Sequence, residues 1–213
     1  IAVLGASERA ETVGRTSVEN LRRSGFAGPL FAVNPRYTTV CGVPCFPSLA
    51  ALPQTVEHVV FAVSDERVEA ALDEAIAHGA RALTLMSALV LAQDREPLLR
   101  ERVLAKIRAA DLMVCGANGM GFYNFTDSVW VCGFETGNHA RAGNVTYISH
   151  SGSGMCGIVD CEERIDFNLV VSTGQELVVS MDEYLDFALD QPATRVVGLF
   201  METARNPLGL MRA

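Results

Sequence analysis

Residues 1–14 read Ile-Ala-Val-Leu-Gly-Ala-Ser-Glu-Arg-Ala-Glu-Thr-Val-Gly, an apolar run closed by glycine and followed by a polar turn. Four apolar residues without alternation suit a strand buried on both faces, as in a parallel sheet. Gly5-Ala6-Ser7 and Gly14 lead to a helix from about Thr16. Such a turn ahead of a helix N-terminus offers backbone amides to a phosphate, and Arg9 and Arg15 add charge nearby. A tight structural turn would use the same glycines, and they do not follow G-x-G-x-x-G, so a dinucleotide fingerprint is weak. The strand–turn–helix unit nevertheless makes α/β, in its doubly wound form, the expected fold class.

The pattern outward from this unit repeats it. Strands are expected at 30–33, 58–63, 82–86 and 112–115. Between them, Val68, Ala71, Leu72, Ala75 and Ile76 share one helical face, and Pro97 opens a second periodic helix through Leu98, Leu99, Val103, Leu104 and Ile107. Apolar strands alternating with amphipathic helices argue for a parallel sheet covered on both faces. Residues 116–144 are rich in glycine and aromatics, with one strand candidate at 129–132, and read as a connecting surface. The rhythm restarts at 145–149, with strands at 167–171 and 195–200 and helices at about 154–164 and 181–189. Three strands are few for a complete sheet.

The chain has 213 residues, 17 Lys+Arg against 25 Asp+Glu, and a formal net charge of −8. That length supports one sizeable domain or two small ones. The acidic balance argues against broad contact with nucleic-acid phosphates, while leaving room for a local anion pocket. Cys41, Cys45, Cys115, Cys132, Cys156 and Cys161 form no CxxC pair, and His58, His78 and His139 are scattered, so no metal site is expected. Reduced thiols suit a cytoplasmic setting. No run of 18 apolar residues or signal segment suggests a membrane span. Both ends look cut, the first inside a strand and the last without a cap, so a longer protein is expected.

Four further stretches, and Glu202, fall where strands end. Asn34-Pro35-Arg36 follows the second strand, where an acidic residue usually holds a ribose hydroxyl; arginine there suits a phosphorylated ribose or pyrophosphate, although a solvent-facing turn would look the same. Cys115-Gly116-Ala117-Asn118-Gly119-Met120-Gly121 is a second glycine-rich turn, in which Asn118 can bond a substrate or simply support the loop. Ser149-His150-Ser151-Gly152-Ser153-Gly154 sets hydroxyls and amides ahead of a helix, a possible anion cradle. It does not read G-x-S-x-G, and its His150, a residue type that can act as a base or phosphate acceptor, is more simply a hydrogen-bonded structural residue. Ser172-Thr173-Gly174-Gln175-Glu176 turns on the same edge. Glu202 leaves the strand at 196–200 toward the crevice where open sheets bind ligands, or else begins a helix.

In order and spacing, GAS…G, GFAGPLFAVNPRY, CGVPCFPSLAALP, VVFAV, CGANGMGFYN, YISHSGSG, VSTGQE, MDEYLDFALDQPATRVVGLF and METARNP resemble one family over nearly the whole chain. It is the CoA-binding and succinyl-CoA-ligase-like region of the NDP-forming acyl-CoA synthetases, which includes the succinyl-CoA synthetase alpha subunit. The resemblance implies a Rossmann-like CoA-binding domain over 1–124, a connecting segment over 125–143 and the start of a flavodoxin-like α/β domain over 144–213. It implies coenzyme A as cofactor, with Gly5, Ser7 and Gly14 forming the phosphate-side loop, Asn34, Pro35 and Arg36 lining the cofactor, and Val63 and Ser64 by its nucleotide end. It places Ser151, Gly152 and Ser153 around a phosphorylated histidine, Glu202 as the carboxylate orienting that histidine, and Asn118 beside the chemistry. The family makes acyl-CoA from a small carboxylic acid, CoA and ATP with Mg through acyl phosphate and phosphohistidine. In the family the histidine lies beyond Glu202, and the nucleotide is held by an ATP-grasp domain or subunit. Neither lies within 1–213, so residues 1–213 are expected to be inactive alone and to work in an oligomer. Where the family has Gly-Pro-Asn-Cys this chain has Gly116-Ala117-Asn118-Gly119, and where it has Gln or Arg this chain has His150. The alternatives are a non-catalytic module binding CoA or acyl-CoA for regulation and, more remotely, an NAD(P)-dependent oxidoreductase.

Overall fold

A computed structural model describes residues 1–137, 141–160 and 164–213. His139 and Cys161, and residues 161–163 of the helix expected at about 154–164, lie outside the described residues. The chain folds into two sheets flanked by helices. In chain order the first half contains β1 (Ala2–Leu4), α1 (Val13–Arg23), β2 (Phe31–Val33), β3 (Thr39–Val40), β4 (Val43–Phe46), β5 (His58–Phe61), α2 (Asp65–His78), β6 (Ala82–Leu85), α3 (Leu99–Ala109) and β7 (Met113–Gly116). The second half contains β8 (Gly121–Asn124), β9 (Val129–Cys132), β10 (Val145–Ser149), α4 (Gly152–Val159), β11 (Phe167–Ser172), α5 (Met181–Leu189), β12 (Val196–Phe200) and α6 (Pro207–Arg212).

The first sheet runs β3-β4-β2-β1-β5-β6-β7. All neighbours in it are parallel except the edge pair β3–β4. The chain leaves β1 toward β2 and β4 on one side, then returns to fill β5, β6 and β7 on the other. The order therefore reverses beside β1, the place where open α/β sheets bind ligands. Val3, Val59, Val60, Phe61 and Leu83 are almost wholly buried, as expected of central strands covered on both faces. α2 begins with Asp65 and Glu66 in its first turn and ends at Gly79, whose φ of 87° is the left-handed cap that terminates many helices. β3 and β4 arise without a sequence expectation and form a hairpin around Cys41-Gly42, both at positive φ. α1, expected from about Thr16, starts three residues earlier, capped by Thr12.

The second sheet runs β12-β10-β11-β8-β9. β10, β11 and β12 are parallel, as the restarting rhythm suggests. The segment expected to connect the units does more than connect. Its strand at 129–132 pairs with β8, and β8 pairs antiparallel with β11, so the hairpin completes the sheet that three strands could not. Residue 124, the expected limit of the first unit, thus ends a strand whose ladder partner lies in the second. The same hairpin packs back on α1: Val131 joins the cluster of Val3, Val18 and Val60, and the buried Asn20 donates to the carbonyls of Cys132 (3.0 Å) and Phe134 (2.7 Å).

Cys41, Cys45, Cys115, Cys132 and Cys156 are all free thiols. Burial pushes Cys115 up to about 11 and Cys132 up to about 12, so both are inert neutral thiols near pH 7. Among the described residues no helix is long and apolar enough to cross a membrane.

Candidate functional site

The carboxyl ends of β1, β2 and β5 enclose a cavity of about 600 Å³. Gly5, Ser7, Gly14, Asn34, Pro35, Arg36, Val63 and Ser64, the eight residues expected to hold the cofactor, all line it. Its floor is built by close backbone approach. Gly14 lies in the first turn of α1, and a Cβ there would stand 2.2 Å from the carbonyl oxygen of Gly5; a Cβ on Gly5 would stand 2.2 Å from that of Ala62. Two missing side chains let the start of α1 come down onto β1 and β5, with its amide-rich end toward the cavity.

The side chains divide into those that shape the wall and those that face the cavity. Asn34 Nδ2 donates to the Ala6 carbonyl at 2.7 Å while its Oδ1 accepts from the Arg36 N–H at 3.0 Å. Asn34 thus ties the β2 turn to the β1 turn and aims Arg36. Ser7 Oγ accepts from the Arg9 N–H at 3.0 Å, and Thr12 Oγ1 donates to the Arg9 carbonyl at 2.8 Å.

Charge separates the arginines. Arg15, expected to assist the anion, instead pairs with Glu19 at 2.8 Å and Glu8 at 3.3 Å, which neutralise it. Arg9, Arg36 and Arg67 line the cavity, and among the described residues no carboxylate pairs with any of them. Arg67 was not singled out from sequence. Its signal was Ser64-Asp65, a helix start directly after β5 that brings the third helical residue round to the cavity. Three free guanidiniums, hydroxyls and a helix N-terminus form a site for a polyanion.

The second sheet carries the other expected site at its own carboxyl edge. Ser151 caps α4, its Oγ accepting from the Gly154 N–H at 3.1 Å and meeting Ser153 Oγ at 3.1 Å. Gly152 opens the helix, and a Cβ there would press on Met120 Cγ. Glu202 stands beside this helix start, because β12 neighbours β10 and the Glu202 N–H bonds the His150 ring at 3.0 Å. Its side chain is exposed. Ser151, Gly152, Ser153 and Glu202 are therefore brought together. Asn118 lies at the joint between the sheets, two residues before the Met120 on which Gly152 packs: its N–H donates to the Ser87 carbonyl at 2.8 Å, and its side chain is exposed.

That joint is tight. The Gln175 N–H donates to the Ala117 carbonyl at 2.7 Å and the Leu177 N–H to that of Gly116 at 2.9 Å. Gly174 has φ +60°, and a Cβ on it would stand 2.1 Å from the Ala117 carbonyl oxygen. The end of β7 and the loop after β11 are thus in backbone contact. A second cavity, about 380 Å³ and mainly apolar, opens at the opposite ends of β5, β6 and β7, lined by His58, Leu83, Phe122, Tyr184 and Phe187 among others. It contains no arginine. Among the described residues no group of His, Cys, Asp and Glu could hold a metal ion.

Residues 1–124 match the CoA binding domain family, and residues 142–213 match the succinyl-CoA ligase like flavodoxin domain. The chain is 27% identical over 215 residues to acetate–CoA ligase [ADP-forming] I of Archaeoglobus fulgidus, covering all of this chain and 31% of that protein. It is 27% identical over 205 residues to the alpha subunit of acetate–CoA ligase [ADP-forming] II of Pyrococcus furiosus, covering 95% of this chain and 44% of the subunit. The chain thus spans about a third of the length of the first of these relatives and under half of the second. In fold it is similar to acetyl-coenzyme A synthetase 1 of Ca. Korarchaeum cryptofilum, solved with phosphate and ADP, with a TM-score of 0.84 at 23% identity over 99% of this chain and 46% of that one. With its anion pocket at the β1 switch point and its second sheet of the ligase-like flavodoxin type, the chain belongs to the CoA binding domain family, in the arrangement found in ADP-forming acyl-CoA ligases.

Proposed function

We propose that this chain is the CoA-binding part of an NDP-forming acyl-CoA synthetase, with residues 1–124 holding CoA, 125–143 connecting, and 144–213 handling the phosphate side of the reaction. The observation that carries it is the cavity in which Arg9, Arg36 and Arg67 stand free of carboxylates at the ends of β1, β2 and β5. The chemistry fits: CoA bears a diphosphate and a ribose phosphate, which need several cations and amide donors. NAD, with no phosphate on its ribose, offers these three cations a diphosphate alone and so matches them less well.

On this reading the γ-phosphoryl group of ATP is passed to the carboxylate with release of ADP, giving an acyl phosphate, and CoA then takes the acyl group as a thioester while phosphate leaves. A nucleotide-holding ATP-grasp domain or subunit and a histidine outside 1–213 supply the phosphoryl relay, and residues 1–213 alone do not turn over. Gly5, Gly14 and the start of α1 seat the CoA phosphates. Asn34 orients Arg36, and Val63 and Ser64 close the nucleotide end. Ser151, Gly152 and Ser153 offer the helix N-terminus to a phosphoryl group, with Glu202 beside it to orient the histidine that carries it. Asn118, at the joint, serves the approach of the thioester end. The substrate is a small carboxylic acid.

Isothermal titration with CoA, dephospho-CoA, NADP and NAD tests the pocket. CoA is expected to bind most tightly and dephospho-CoA more weakly. Binding of NADP with none of CoA would refute the proposal. On the intact protein, acyl-CoA formation from ATP, CoA and a panel of short carboxylates beginning with acetate tests the reaction; CoA binding without turnover on any of them would favour the regulatory module.

A further inference from the structure

One buried side chain in the second sheet joins all three loops at the carboxyl edge. His150 follows β10, the middle of the three parallel strands. Its Nε2 lies 2.7 Å from Glu176 Oε1, in the loop after β11. Its Nδ1 accepts from the Glu202 N–H at 3.0 Å, in the turn after β12, and its own backbone N–H donates to the Phe200 carbonyl at 3.0 Å. The His150 and Glu176 side chains are 2% and 1% exposed. Arg205 Nε reaches the other Glu176 oxygen at 3.3 Å. Because Nδ1 accepts from a backbone amide, the ring proton belongs on Nε2 and is donated to the carboxylate. A ring carrying protons on both nitrogens would oppose one donor to another.

These bonds fix the backbone from which Glu202 projects. β12 is the outer strand of its sheet, and residues 201–208 after it are all exposed. A turn with so little burial keeps its place through specific hydrogen bonds. The ring supplies one directly, and Glu176 supplies another through Arg205. Glu176 itself belongs to the loop seated on Gly116 and Ala117 by the Gln175 and Leu177 amides. The clasp therefore locates Glu202 relative to the start of α4 and to the end of β7.

We propose that His150 is a positioning residue which, with Glu176 as counter-group, sets the stance of Glu202 against the Ser151–Ser153 helix start. This rests on the ligase reading above, in which Glu202 orients the phosphoryl-carrying histidine. Alanine at 150 removes both bonds. Glutamine carries an N–H for Glu176 and a carbonyl oxygen for the Glu202 amide on one side chain, so it should replace the ring in part.

The test uses the intact protein with His150→Ala, His150→Gln and Glu176→Gln. In the wild type, nitrogen NMR should show His150 protonated on Nε2 and bare on Nδ1. H150A should speed exchange of the Glu202 amide at least tenfold, lower kcat for acyl-CoA formation by about 10–100-fold, and leave the CoA dissociation constant within about twofold. H150Q should bring kcat back to within about threefold of the wild type. Should H150A not fold, E176Q, which keeps the shape but removes the charge, is read by the same amide exchange and kcat loss. An active wild type whose kcat is untouched by H150A, or whose loss H150Q does not repair, overturns the proposal alone. A wild type that makes no acyl-CoA from any carboxylate tried overturns the ligase reading, and the positioning role falls with it.

Discussion

Replacing Gly14 by Ala sets two effects of opposite sign against each other in the first turn of α1. Helix propensity favours alanine by about 1 kcal/mol. The new Cβ would stand 2.2 Å from the Gly5 carbonyl oxygen and 3.1 Å from Ala6 Cα. Both neighbours are backbone, and Gly5 is itself held by its N–H bond to the Val33 carbonyl at 3.0 Å. The contact must open by about 1 Å to reach ordinary van der Waals separation, and overpacking of a buried site typically costs about 1–3 kcal/mol. The clash should win, leaving a net loss of up to about 2 kcal/mol, or a fall of up to about 8 °C in Tm for a chain of this size. Lifting the helix start should also weaken CoA binding. Gly157→Ala in α4 is the control, since a Cβ there meets nothing within 4 Å; it should gain stability from propensity alone. Differential scanning calorimetry and CoA titration read both variants. A Tm for G14A at or above the wild type, with CoA affinity unchanged, would refute the close-approach reasoning.

Arg36→Ala should weaken CoA binding by about 1–2 kcal/mol, roughly 5–30-fold, as loss of an exposed charge-assisted contact; calorimetric titration should show the difference shrinking at high salt, and an unchanged affinity would place Arg36 in solvent. Arg67→Ala should act in the same direction, whereas Arg15→Ala, whose charge is already paired, should change CoA affinity little in the same titration. Asn20→Ala leaves the Cys132 and Phe134 carbonyls without their donor and should cost about 2–3 kcal/mol by urea unfolding, whereas an unshifted midpoint would show that the hairpin holds α1 by apolar contact alone. Burial lowers His58 to about 4 from an ordinary 6.5. The unfolded chain therefore takes up a proton that the native one refuses, so this stability is present above about pH 6.5 and is lost as pH falls toward 4, by no more than about 3 kcal/mol. His58→Gln should flatten that part of the stability–pH curve, and a curve unchanged in slope would mean that the native ring titrates freely.

The pocket was legible because its parts are local. Gly5, Asn34, Arg36 and Ser64 each stand within three residues of a strand's end, and in a doubly wound fold the carboxyl ends of strands converge whatever lies between them. Arg67 escaped notice because it sits on a helix, where the turn rather than proximity to the strand decides which way it faces. Arg15 was misjudged for the related reason that nearness in sequence to an anion loop says nothing of the carboxylates at Glu8 and Glu19 that claim it first. The hairpin β8–β9 was half seen. Val129 to Cys132 has strand composition, but its partner Gly121-Phe122-Tyr123-Asn124 begins and ends in turn-forming residues, and its place beside β11 is a long-range choice that no local pattern records. The partners of His150 lie 26 and 52 residues away, so no local pattern names them.

The hairpin from 121 to 132 has a consequence for how the molecule comes apart. It is lent by the middle of the chain to the later sheet, yet its outer strand is clamped to the first helix through Asn20 and Val131. Neither half owns it. A protease cut or a recombination break near residue 124 would sever a ladder rather than a tether, stripping β11 of a neighbour and baring one flank of α1. The two halves should therefore melt as one cooperative unit, and be inherited or exchanged as a pair more readily than singly.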